Sequence, residues 1–122
     1  MIQEDKDLLL KDLCARLPYG VICEDGYGNV LELNSIDKPN TVTFKCSDNT
    51  FCTADLDKCK PYLFPLSSMT EEQEKEYLNT CNGYCTYYWT EETFDWLNAH
   101  HFDYRGLIEK GLAIDATNKN IY

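Results

Sequence analysis

The sequence predicts an α+β domain on three observations: an amphipathic stretch near the start, alternating apolar residues through the first half, and apolar residues recurring at three and four beyond residue 70. Between the last two patterns lies KPYLFPLSSMTEEQ, Lys60 to Gln73, where Pro61 and Pro65 bracket Tyr62, Leu63 and Phe64. Proline suits neither a helix interior nor a central strand, so this segment is expected as a buried clamp joining a β-rich front half to a helical back half. The expected architecture is an N-terminal helix, a small SH3-like antiparallel β-barrel and a C-terminal helical lobe. Residues 1–66 and 67–122 are expected as two lobes of one compact domain.

The first helix is expected over Asp5 to Leu17. Leu10, Leu13, Cys14 and Leu17 lie at i, i+3, i+4 and i+7, Asp7, Lys11 and Asp12 fall elsewhere on the wheel, and Pro18 stops it. Glu4, Asp5 and Asp7 suit the positive end of its dipole, and Arg16 suits the other.

Short strands are expected next, at Val21–Glu24, Val30–Leu33, Thr41–Cys46 and Thr50–Thr53. The turn residues Asp25-Gly26-Tyr27-Gly28-Asn29, the turn region Ile36 to Asn40 that ends in Pro39-Asn40, and Ser47-Asp48-Asn49 separate them. In the third strand Val42, Phe44 and Cys46 share one face. Beyond the clamp, Thr70 and Gln73 form a capping box for a helix reaching about Cys81, which Asn82-Gly83 ends. Thr90 caps a helix holding Phe94, Trp96 and Leu97. Asp103 is placed to cap a third, with Tyr104, Leu107 and Ile108 at i, i+3, i+4 and Lys110-Gly111 as the stop. The polar tail from Asp115 is expected to fray.

Composition narrows the function. The net charge of −10 repels phosphate backbones and disfavours direct nucleic-acid binding. No run approaches the roughly 18–20 apolar residues that span a bilayer, and Met1 to Asp7 is charged where a secretory signal is apolar. A soluble, cytoplasmic chain is expected, most of its cysteines reduced, with Cys14 and Cys46 on apolar faces as small hydrophobes.

Two constellations have the spacing of chemistry. Cys81, Cys85 and His100 match the first three ligands of a zinc finger, but His101, the only other histidine, is adjacent to His100 instead of three to five residues on. No metal and no cofactor are therefore expected, with a zinc-binding or thiol-dependent enzyme as the alternative. The capped segment TEETFDWLNAHHFDYRGLIEKG also matches a helix-turn-helix, yet Arg105 and Lys110 are too few cations for DNA readout. Trp, Tyr and Arg anchor protein interfaces, so Trp96, His100, His101, Tyr104 and Arg105 are the expected binding residues for a protein partner. P-loop, dinucleotide-binding glycine, H-E-x-x-H and G-x-S-x-G motifs are absent from the sequence, which favours a non-enzymatic module. An acidic mimic or regulator of nucleic-acid binding is a further alternative.

The blocks KDLCARLPYGV, KPYLFPLSSMTEEQ and WLNAHHFDYRGLIEKGLAI make the chain similar to a family of small proteins of gut Bacteroidales and their phages or prophages. The blocks cover close to half of the chain in the same order, and the family brings no assigned reaction, cofactor or functional residue. Cys46, Cys52, Cys81 and Cys85 lie outside them. The resemblance implies a small accessory protein that binds a host or phage protein.

Overall fold

A computed structural model describes residues 1–38, 40–46, 48–81 and 89–122. Pro39, Ser47, the expected stop Asn82-Gly83 and the candidate ligand Cys85 lie outside the described residues. The order of elements is α1 (Gln3–Arg16), β1 (Ile22–Glu24), β2 (Val30–Lys38), β3 (Thr41–Lys45), β4 (Phe51–Asp55), β5 (Lys60–Pro65), α2 (Glu71–Thr80), α3 (Glu91–Ala99), β6 (Phe102–Asp103) and β7 (Ile114–Asp115). No helix among the described residues is long and apolar enough to cross a membrane.

The strands form one sheet in the order β4-β3-β2-β1-β5-β6, with β7 also on β5. Contacts within the β1–β5 portion are antiparallel, whereas β6 and β7 run parallel to β5. The α+β class and the N-terminal helix are thus observed. Among the described residues the sheet is an open path ending at β4 and β6, and closure into a barrel is not seen.

Leu9 and Leu13 of α1 are fully buried and complete a core with Val21, Cys23, Leu33, Val42, Phe44, Leu56, Cys59 and Leu63 from the sheet side. The buried face of α1 is rotated from the expected one. Asp12 and Arg16 are buried and Cys14 is exposed, because the oppositely charged pair at i and i+4 finds partners inside and so outcompetes a thiol for the interior.

β2 runs on to Lys38 through two register shifts, after Leu33 and after Ile36, where a turn was expected. Bulges of this kind let a strand bend without ending. The turn before it depends on glycine: Gly26 has φ of +89°, and a Cβ there would lie 2.9 Å from Cβ of Lys58.

The proline segment is itself a strand. β5 pairs with β1, β6 and β7, contrary to the expectation that prolines keep it out of a sheet interior. It uses both of its edges, since within one peptide unit the Phe64 amide donates towards β6 and the Leu63 carbonyl accepts from Ala116 beyond β7. The ladder tolerates them because Pro61 and Pro65 sit near its ends, and the amide of Phe64 reaches the carbonyl of His101 at 2.8 Å.

Two further expectations fail in the C-terminal stretch. The Asp103 carboxylate does accept from the amides of Leu107 and Ile108, both at 3.0 Å. Yet no helix follows, since Gly106 takes φ of +75° within the would-be first turn, and residues 104–113 continue as turns and bends. The tail is anchored instead of frayed: Ile114–Asp115 pairs with β5, and Ala116 is buried. The Tyr122 hydroxyl accepts from the Ile22 amide at 2.9 Å and donates to the Tyr62 carbonyl at 2.9 Å.

Candidate functional site

α2 and α3 are held side by side by three threonines. Thr70 and Thr90 each make a capping box, with Gln73 and Thr93. Thr90 also donates to the Thr80 carbonyl at 3.0 Å, and Thr80 donates to the Thr93 hydroxyl at 3.1 Å, so the end of α2 is stitched to the start of α3. Between them lies an aromatic cluster. Trp89 meets Tyr77, Phe94 and Tyr104 edge-on with ring centroids 5.4–6.2 Å apart. Trp89 also donates to the Tyr77 hydroxyl at 2.9 Å.

Four of the five expected binding residues fall into two groups. Trp96 and His100 form the outward one. The Trp96 ring is stacked between His100 at 4.2 Å and Phe102 at 5.6 Å, and its Nε1 donates to Glu76 at 3.2 Å. His100 is fixed by Nδ1, 2.9 Å from the Trp96 carbonyl oxygen.

The inward group surrounds α1. Tyr104 donates to Asn98 at 2.9 Å, and its ring lies between the guanidiniums of Arg105 at 4.9 Å and Arg16 at 5.2 Å. Such cation–π contacts strengthen when desolvated. Arg16 donates Nε to Asp12 at 2.8 Å and Nη2 to the Phe102 carbonyl at 2.6 Å. Arg105 approaches the other Asp12 oxygen at 3.2 Å as an ion pair.

His101 belongs to neither group. It takes φ of +64°, which turns its ring onto Tyr122 with centroids 3.5 Å apart. Burial, then the Arg16 charge and His100, pull its pKa down to about 4, so the imidazole is neutral at pH 7. Burial also pushes the Tyr122 phenol upward. Both rings act here as packing.

Sequence reasoning missed Asp12, Arg16, Asn98 and Tyr122. One signal was present: opposite charges four apart on α1. Nothing local marked Asn98 or Tyr122.

Two adjoining clefts border these groups. One, of about 400 Å³, is lined by Pro65, Leu66, Ser67, Tyr104 and Ile108 with the carboxylates of Asp103 and Glu109. The other, of about 280 Å³, is lined by Leu66, Ser67, Met69, Tyr77 and Glu74. Leu66 and Ser67 line both, so the two clefts flank the connection from β5 to α2. Each holds an aromatic residue, Tyr104 or Tyr77, and the charged groups in their lining are the carboxylates of Glu74, Asp103 and Glu109.

Of the zinc constellation, Cys85 is outside the described residues, and Cys81 is disulfide-bonded and offers no thiolate, while five other cysteines among the described residues are free. Among the described residues no group of three or more His, Cys, Asp or Glu side chains has metal-site geometry. The chain matches no family model, no curated protein and no solved structure.

Proposed function

We propose that the chain is a non-enzymatic protein-interaction module, an accessory protein of phage or prophage type, acting in the cytoplasm. The single observation that carries this reading is the groove we infer from the two clefts that share Leu66 and Ser67, with Tyr104 in one and Tyr77 in the other, Trp96 beside Tyr77 and His100 stacked on Trp96. Its dimensions suit side chains of a peptide segment, and aromatic anchors beside apolar residues are what interfaces use. Glu74, Asp103 and Glu109 select a partner segment bearing Lys or Arg beside apolar residues, and the net charge of −10 steers such a segment in.

The finer SH3-like reading of the front half belongs to the same proposal. It is supported by the β1–β5 meander, in which the first strand pairs with both the second and the fifth. A single 3₁₀ turn, Leu56–Lys58, connects the fourth to the fifth.

Affinity capture from a host lysate tests the groove when wild type is compared with Leu66→Glu, Trp96→Ala and Phe51→Ala. Leu66 and Phe51 are 38% and 60% exposed, so those substitutions spare the core. A partner retained by Phe51→Ala and lost by both groove variants is expected, with binding that weakens as salt rises. Equal recovery of every protein by all four would overturn the proposal.

A further inference from the structure

Five free cysteines are described, and four of them lie as pairs. Each pair has the same register. Cys52 in β4 stands opposite Phe44 in β3, two residues before Cys46, so Cys46 and Cys52 are diagonal neighbours on the inward face of the hairpin. Cys23 in β1 stands opposite Pro61, two residues beyond Cys59, to which its thiol is hydrogen-bonded.

The pairs differ in access. Cys23 and Cys59 are both fully buried. Burial, then the bond to Cys59, holds the Cys23 thiol well above its ordinary value, so it meets neither water nor oxidant as a thiolate. Cys46 and Cys52 are only part-buried, and their sulfurs are 3.1 Å apart. A disulfide needs about 2.05 Å between sulfurs, so closure takes roughly 1 Å of side-chain movement. The Cys46 amide is already bonded to the Thr50 carbonyl at 2.8 Å, which fixes the backbone on either side of the turn.

We propose that Cys46 and Cys52 are a thiol–disulfide exchange site, oxidised to an intramolecular disulfide by a low-molecular-weight disulfide. The hydrogen bond with Cys46, more than partial burial, raises the Cys52 pKa to about 11, so Cys52 keeps its proton until exchange has begun. The Cys46 thiolate attacks one sulfur of the small disulfide, forming a mixed disulfide and expelling one small thiolate. Cys52 then gives up its proton to that thiolate and attacks the Cys46 sulfur, releasing the second small thiolate, which takes a proton from water. Two protein thiols lose two electrons and the small disulfide gains them. The new bond fastens the turn of the edge hairpin.

The test uses the full chain in a Cys14→Ser background, which removes the exposed thiol on α1. The protein is incubated with glutathione disulfide, alkylated and mapped by mass spectrometry. The expected product has lost two hydrogens and carries a Cys46–Cys52 linked peptide, while Cys23 and Cys59 are recovered alkylated only after unfolding. Cys52→Ser is expected to trap glutathione on Cys46, and the linked form to melt a few degrees higher than the reduced one. Recovery of Cys46 and Cys52 as free thiols at equilibrium, or oxidation of Cys23 and Cys59 at the same rate, would overturn the proposal.

Discussion

Helix α1 is buried along two adjoining stripes that face opposite environments. Leu9 and Leu13 meet the aliphatic side of the sheet, Val21, Leu33, Val42, Phe44 and Leu63. Asp12 and Arg16, just as inaccessible, meet Arg105, Tyr104 and the Phe102 carbonyl. Equal burial has opposite energetics in the two places. The aliphatic stripe stabilises by leaving water, at about 25 cal/mol for each Å² of apolar surface. The charged stripe loses hydration of at least several kcal/mol for each ion and is held only while its set of partners is complete. One region tolerates loss in proportion to volume; the other fails when any member goes.

The sharpest test of that contrast pairs two truncations of similar size in effect. Phe44→Ala opens a cavity in the aliphatic region and should cost about 3–5 kcal/mol. Asp12→Ala leaves Arg16 and Arg105 without their shared carboxylate and should also cost about 3–5 kcal/mol. Only the second loss can be repaired by removing more charge. Asp12→Leu with Arg16→Met and Arg105→Met should recover most of it, since apolar residues of similar volume usually replace buried ion pairs without penalty. Urea denaturation measures all of these, and a triple variant no more stable than Asp12→Ala would show that the Arg16 contacts to Phe102 and Tyr104 carry the joint.

The same contrast explains what the sequence could reveal. Strand alternation around Val42 and Phe44, and the Thr70 and Thr90 caps, are written in local spacing, and they appear where expected. The charged joint depends on residues 86 positions apart, as in Arg16 and Phe102, and no local period encodes that distance. The wheel of α1 was therefore read with Cys14 inward and Asp12 outward. β6 and β7 are two residues each, too short to leave any alternation. The recurrence of Tyr104, Leu107 and Ile108 matches a helix, but a glycine at 106 in a left-handed conformation redirects it into turns. Of the five expected binding residues, Trp96 and His100 are outward, while Tyr104 and Arg105 also contact the buried Arg16 and Asp12.

A smaller effect sharpens the comparison through pH. His101 borders the charged joint, with Arg16 and His100 as the charges acting on it and Tyr122 stacked on its ring. Its pKa falls from 6.5 to about 4 on folding, so between those values the unfolded chain binds more protons. Stability from this group is complete above pH 6.5 and is lost as pH falls towards 4. Allowing for partial exposure, the loss is about 1–2 kcal/mol. His101→Asn keeps a residue that tolerates positive φ and removes the titration. Its stability difference from wild type, followed by urea denaturation from pH 7 to 4.5, should shrink with acid; a constant difference would mean that the imidazole titrates alike in the folded and unfolded states.

The smallest effect separates a cap that stands alone from a cap tied into the joint. The Thr70 side chain bonds within its own box, to Gln73, and in an exposed setting. Thr90 bonds within its box and also to the Thr80 carbonyl, one strand of the stitch that places α3, and hence Trp96 and Asn98, against α1. Loss of a threonine cap costs about 0.5–2 kcal/mol. Thr70→Ala should fall near the lower figure and leave the groove intact, because the helix it starts is held at its far end by Thr80. Thr90→Ala should fall near the upper figure, and it should loosen Tyr104, which depends on Asn98 for its hydroxyl partner. Amide exchange over 91–99 and 104–108 separates the two: faster exchange in both segments for Thr90→Ala and in neither for Thr70→Ala is expected. If the two variants behaved alike, the stitch would add nothing to a cap, and the aromatic cluster alone would hold α3 to the charged face of α1.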